Sequence, residues 1–274
     1  MLTKQTERPS AGALLRAAHI GPTVAVTVLT ALLAVSQDLT RDRGVLVTAA
    51  VFAGQLTIGW GNDLADAGRD RQVGRTDKPL ATGELRTSMV LAWLALAAGA
   101  CLGLSLLVGW RSAAVHLCLV VGAGHLYNLA LKATVWSWLP FAVAFGTLPA
   151  VVTLADPSQH WPPAWMMLAA GVLGVAAHFL NTLPDHEDDA RTGMQGMPQR
   201  LGQRRSRVSA TVLLVVASVI AALGRNGSPG AGTWAALVVV LALAVVALAG
   251  RGRAPFHAAI AIALVDVLLL AVRP

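Results

Sequence analysis

The chain has 274 residues, 55% of them hydrophobic and 13% charged, and a mean hydropathy of +0.63. Soluble domains carry about twice that charged fraction, so the composition excludes an ordinary soluble protein and points to one embedded in a lipid bilayer. The net charge of +7 then reports topology and calls for no nucleic-acid partner, and Cys101 and Cys118, each inside an apolar run, suggest neither a disulfide framework nor a zinc site.

Residues 1–12 read as a polar, mobile tail. Nine apolar runs follow, near 13–35, 44–61, 87–109, 112–130, 135–155, 164–183, 206–224, 231–249 and 254–272. The first has no clear small-residue cleavage site after it and is not read as a signal peptide. At about 1.5 Å per residue each run crosses a hydrocarbon core of about 30 Å, and in lipid only a helix satisfies an open-ended backbone. The expectation is an all-α polytopic membrane protein, one transmembrane domain over 1–274 with nine spanning helices around a central cavity. Of the 21 Lys and Arg, 16 fall on the side of the N-terminal tail and five on the other. That bias makes the tail cytoplasmic and puts the C-terminus on the opposite side.

Two long charged loops, about 62–86 and 184–205, both fall on the cytoplasmic side of this topology, and loops of such length are usually functional or disordered. The first carries Gly61-Asn62-Asp63-Leu64-Ala65-Asp66-Ala67-Gly68-Arg69-Asp70-Arg71. On a helix Asp63, Asp66 and Asp70 fall at roughly 0°, 300° and 340°, on one face. Three like charges there repel unless a cation sits among them, and hard oxygen donors suit Mg²⁺; the plain alternative is a solvated helix end. Arg69, Arg71, Arg75 and Lys78 follow, and acids alternating with cations are what a metal–phosphate site requires. The topology bias explains Arg204, Arg205 and Arg207 better than it explains Arg71 and Lys78. The second loop begins Asn181-Thr182-Leu183-Pro184-Asp185-His186-Glu187-Asp188-Asp189. Pro184 suits the first position of a helical turn, which places Asp185 and Asp189 on one face, with Asn181 a turn earlier. Two such clusters facing each other fit a diphosphate held by more than one divalent ion.

These residues resemble the UbiA-type intramembrane prenyltransferases. That family has nine helices, an Asn-Asp-x-x-Asp-x-x-x-Asp motif after the second, matched by Asn62, Asp63, Asp66 and Asp70, and an Asp-x-x-x-Asp motif after the sixth, matched by Asp185 and Asp189. The resemblance extends over nearly the whole chain. It implies Mg²⁺-dependent ionisation of an allylic prenyl diphosphate and transfer of the prenyl group to a small hydrophobic or aromatic acceptor, such as a quinone precursor. In that scheme Asp63, Asp66, Asp70, Asp185 and Asp189 hold metal. Asp63, Asp66, Asp185 and Lys132 are the implied catalytic groups, with Asn62, Arg71, Lys78, Tyr127, Asn181 and Arg191 binding substrate. The family carries a Tyr and a Lys after its fourth helix, with three residues between them in many members. Here four residues separate Tyr127 from Lys132, about 140° apart on an α-helix. Relatives commonly read Gly-Lys-x-Thr after the second motif, where this chain has Gly193-Met194-Gln195-Gly196-Met197-Pro198; Arg191 or Arg200 is the available substitute for that lysine.

Arg16 and His19 either border the site or form an interfacial pair. Trp60 fits the cavity mouth or the membrane interface, and Tyr127 the site or an interfacial anchor. His116, His125 and His178 are expected to be packed or hydrogen-bonded. Asp266, well inside the last span, is costly without a partner, and a structural hydrogen bond is expected for it. Two competing functions remain. A membrane terpene cyclase would capture the prenyl cation within the substrate, and a transporter would place its charges near the midplane on broken helices.

Overall fold

The computed structural model describes residues 11–184, 186, 189, 193–224, 228–252 and 254–271. Residues 1–10 of the tail, and the site candidates Asp185 and Arg191, lie outside the described residues. Everything described is helix or connection: α1 (Ala11–Ala17), α2 (Ile20–Ser36), α3 (Arg41–Gln72), α4 (Pro79–Thr82), α5 (Thr87–Val108), α6 (Trp110–Leu131), α7 (Leu139–Thr153), α8 (Ala164–Thr182), α9 (Met197–Leu201), α10 (Gln203–Leu223), α11 (Ala231–Ala249) and α12 (Ala254–Ala271).

Among the described residues, seven helices are long and apolar enough to cross a bilayer: α3, α5, α6, α8, α10, α11 and α12. The first predicted span is instead the pair α1–α2, bent by 73°, and the fifth is the 15-residue apolar helix α7. Large side chains such as Leu107, Val238 and Val245 face outward, as a lipid solvent allows. Inside, small residues bring backbones together. A Cβ on Gly174 would come within 2.6 Å of the Phe141 carbonyl oxygen, so α7 and α8 touch along their main chains. Alanine and leucine from α8 and α10, with Ile262 of α12, fill the largest core.

The first acidic stretch is not in a loop. The sequence ends the second span at 61, whereas α3 runs unbroken for 32 residues through the whole motif. Neither a proline nor a turn signal interrupts it before Gly74, and the polar residues that end the apolar run are compatible with helix outside the hydrocarbon. At Gly74 (φ 70) the chain reverses. The Arg75 amide donates to the Asp70 carbonyl at 2.9 Å and that of Gly74 to Arg71 at 3.3 Å, the paired bonds of a glycine-terminated helix end.

Candidate active site

Asp63, Asp66 and Asp70 lie on one face of α3, and all three are buried, at 1%, 7% and 5% exposure. Burying a carboxylate requires a compensating charge or strong hydrogen bonds. Three other segments and α3 itself supply them. Lys78, between α3 and α4, donates to Asp63 Oδ1 at 3.0 Å. Lys132, just after α6, is ion-paired and hydrogen-bonded to Asp66 Oδ1. Arg69, one turn along α3, reaches the same oxygen at 2.9 Å. His19, between α1 and α2, has Nε2 2.9 Å from Lys78 Nζ and 3.9 Å from Asp63 Oδ1. Asn62 donates to the Asn128 side-chain oxygen at 3.0 Å, and Asn128 donates in turn to the Ile58 carbonyl at 2.9 Å, which fixes α6 against α3 beside the acids.

Not every cation in the stretch joins this group. Arg71 is exposed, and its Nε donates to the Leu80 carbonyl at 3.4 Å. Arg75 grips Asp77 through two bonds of 2.8 Å, which hold the Asp77 carboxyl down to about 2. That pair therefore forms above the ordinary carboxylate range and is lost only as pH falls through about 2, so it is intact throughout the neutral range.

The described residues of the second motif, His186 and Asp189, follow the end of α8. His186 lies between the carbonyls of Thr182 and Pro198, at 2.7 and 3.3 Å. Asp189 Oδ2 accepts from Gln199 of α9 at 2.7 Å, and its carbonyl accepts the Met194 amide at 2.9 Å. Arg69 Nη1 stands 4.0 Å from Met194 Sδ. Met194 occupies the position of the expected lysine, and Arg69 of α3 brings a guanidinium beside it. Arg200, one of the two substitutes the sequence offers, is exposed and donates instead to the Gln195 carbonyl at 2.8 Å. Gly196 closes the join, since a Cβ there would lie 2.6 Å from the Lys132 carbonyl oxygen. Asn181 is exposed at the end of α8.

Tyr127 and Lys132 are not splayed by their extra residue. The last turn of α6, Tyr127–Leu131, is π-helical, and the Lys132 amide donates to the Tyr127 carbonyl at 3.0 Å. A π turn takes in one more residue than an α turn, so the angle between the two side chains is smaller than an α-helix would give, and Lys132 reaches Asp66. The expected 140° separation assumed an α-helix throughout. Tyr127 packs edge-on to Phe141 and His178, with ring centres at 5.1 and 5.6 Å.

Sequence reasoning underweighted four participants: His19, Arg69, Asn128 and Gln199. Of these, Arg69 stands within the motif's run of cations and His19 just before Pro22 at a helix break, so both carried a signal. Arg16 does not pair with His19 but forms an ion pair with Glu84. Trp60 donates from Nε1 to the Leu14 carbonyl at 3.0 Å and fastens α1 to α3. Its neighbour Gly59 takes the Ala18 carbonyl against its backbone, where a Cβ would be 2.1 Å from that oxygen. His125, His116 and His178 meet the hydroxyls of Thr57, Ser105 and Ser137 at 3.2, 2.8 and 3.0 Å. Asp266 accepts from Ser218 of α10 and so has the structural hydrogen bond expected of it.

Among the described residues, no three His, Cys, Asp or Glu side chains are already gathered as a metal cage. The acids are instead neutralised by lysine and arginine. Two buried carboxylate oxygens, Oδ2 of Asp63 and of Asp70, accept no hydrogen bond. Oxygen donors that are buried, anionic and unsatisfied are what Mg²⁺ takes, one or two carboxylates at a time, so the residues present fit such an ion.

Comparison with known proteins agrees with this fold. Residues 23–267 match the UbiA prenyltransferase family. A 4-hydroxybenzoate octaprenyltransferase from Ralstonia nicotianae is 31% identical over 196 residues, covering 67% of this chain and 63% of that enzyme, less than two thirds of its length. The apo structure of a UbiA homolog from Aeropyrum pernix superposes with a TM-score of 0.72 at 18% identity, over 91% of this chain and 97% of that one. A UbiA homolog from Archaeoglobus fulgidus bound to GPP and Mg²⁺ gives 0.66 at 16% identity, over 95% and 100%. At such identities the two structures speak to fold alone, while the match across most of the sequence settles the family: the chain belongs to the UbiA prenyltransferase family.

Proposed function

We propose that this integral membrane protein is a Mg²⁺-dependent prenyltransferase, working as one transmembrane domain with its acidic site on the cytoplasmic side. It ionises an allylic prenyl diphosphate and passes the prenyl group to an aromatic or quinone-precursor acceptor. The observation that carries this reading is the buried acidic face of α3, closed by Lys78, Lys132 and Arg69 yet leaving an oxygen of Asp63 and one of Asp70 unsatisfied. Further support comes from the Ralstonia relative, named for an octaprenyl transfer to 4-hydroxybenzoate, and from the Archaeoglobus homolog, described with GPP and Mg²⁺.

Asp63, Asp66 and Asp70, with Asp185 and Asp189 from the second motif, would hold the ions. Bound Mg²⁺ supplies a Lewis acid that lowers the cost of charge building on the leaving diphosphate. The chain's own residues do the rest. Lys78, Lys132 and Arg69 neutralise the acids before substrate arrives, and on its arrival present their N–H groups to phosphate oxygens, with Arg71 and Arg191 as further substrate-binding cations. Asn62, locked by Asn128, and Asn181 orient the headgroup. Tyr127, backed by Phe141 and His178, walls the apolar side and keeps water from the allylic cation.

The test is diphosphate release by purified protein in nanodiscs, with Mg²⁺, allylic diphosphates of several lengths and a panel of phenolic acids. Replacing both Asp63 and Asp66 with Asn is expected to lower release by about a hundredfold or more, within the range assigned to electrostatic stabilisation at such sites. Full turnover in that variant sinks the assignment. A cyclic terpene formed without acceptor would redirect it to the cyclase.

A further inference from the structure

Lys78 has two acceptors of different character. Its ammonium donates to the Asp63 carboxylate at 3.0 Å and lies 2.9 Å from His19 Nε2. A lysine ammonium carries donors only, so this imidazole nitrogen accepts, and His19 is neutral with its proton on Nδ1. Loading the site disturbs just one of these bonds. A divalent ion drawn to Asp63 competes for the carboxylate and repels the ammonium, whereas a neutral imidazole keeps its lone pair for Lys78. Without that second acceptor the four-carbon stem would regain much of its rotamer freedom at the moment the ammonium is needed.

His19 is held for this task by its backbone. It adopts a left-handed conformation (φ 51, ψ 56), which is uncommon for a residue with a side chain and persists where surrounding structure over-determines it. The surroundings do so from three sides. Gly59 admits the Ala18 carbonyl, Trp60 binds the Leu14 carbonyl, and Arg16 pairs with Glu84. The break between α1 and α2 is thereby seated on α3 one turn before Asp63.

We propose that His19 is a positioning residue, retaining the Lys78 ammonium at the mouth of the acidic face when metal takes Asp63, so that it meets the oxygens of an incoming diphosphate. This rests on the reading of the site as one for prenyl diphosphates.

The experiment measures binding of geranyl diphosphate with excess Mg²⁺, and diphosphate release, by the full chain in nanodiscs. His19→Ala is expected to raise Kd and KM about tenfold while kcat changes by less than about threefold, the pattern of a lost preorganising contact. His19→Gln, whose amide oxygen accepts from Lys78, recovers most of the affinity. In a Lys78→Ala background His19→Ala adds less than about twofold, because the two act as one unit. Additive losses, or a Gln variant as impaired as Ala, overturn the inference and leave His19 as part of the bend alone. Wild-type protein that binds no geranyl diphosphate overturns the site reading itself, and the inference with it.

Discussion

Placing an alanine at position 59 perturbs the point where the whole N-terminal segment is seated. Its Cβ would stand 2.1 Å from the Ala18 carbonyl oxygen and 2.5 Å from the carbonyl carbon, well inside an ordinary contact of about 3.5 Å. The obstructing atoms are main chain, so they cannot rotate away as the tip of a side chain can. Relief requires the α1–α2 break to lift from α3 by about 1 Å or more, the shortfall from van der Waals contact. A shift of that size carries the His19–Lys78 bond of 2.9 Å past hydrogen-bonding range. Overpacking of this kind costs about 1–3 kcal/mol, and affinity for geranyl diphosphate should fall about tenfold with the lost contact, equivalent to about 1.4 kcal/mol. Gly68 on the same helix is the internal control, since a Cβ there meets nothing within 4 Å. Gly68→Ala should gain about 0.5–1 kcal/mol from helix propensity. Both variants are followed by denaturant unfolding in detergent and by calorimetric titration. If Gly59→Ala matches Gly68→Ala in stability and affinity, the close approach of Ala18 does not organise the site.

Deleting Ala130, an exposed residue of the π turn, should let the end of α6 revert to α-helix while Tyr127 and Lys132 stay on one side. Folding and diphosphate release are expected to remain within about tenfold of wild type, because π turns behave as single-residue insertions. A collapse of activity equal to that of Lys132→Ala would show that the two side chains had lost their register. Ser218→Ala and Asp266→Asn should each lower stability by about 0.5–2 kcal/mol, the range for interhelical hydrogen bonds in a membrane, with unchanged KM for diphosphate. A folded Asp266→Asn protein without turnover would instead draw Asp266 into the chemistry.

Much of the site was legible because its chemistry is written in local spacing. Asp63, Asp66 and Asp70 declare a shared helical face by their intervals alone, and the structure gives them that face. Lys78 stood out as a cation close to the motif, and it does bind an acid. Arg71 stood out equally and bonds a carbonyl, because charge and proximity in sequence do not say which way a side chain leaves the helix. The end of α3 was misplaced for a related reason. Loss of hydrophobicity marks where a helix leaves the bilayer, whereas the helix itself stops only at a backbone signal, here Gly74. Gln199 was beyond reach, since only tertiary packing brings it to Asp189. The extra residue between Tyr127 and Lys132 is visible in the sequence, but an α-helical wheel overstates the separation, because a π turn takes in one more residue.

The unbroken length of α3 has a mechanical consequence. At about 1.5 Å per residue its 32 residues form a rod about 48 Å long, of which about 30 Å suffices to span lipid. The acids therefore ride on the same stiff body that is gripped by the bilayer, with no joint between anchor and site. When bilayer thickness changes, such a helix answers chiefly by tilting, and tilt sweeps Asp63 through Asp70 sideways past Lys132 and the end of α8, which belong to other rods. Acyl-chain length thus becomes a dial on how closely the carboxylates and their cations meet. Diphosphate release, measured in vesicles of graded thickness, should pass through a maximum.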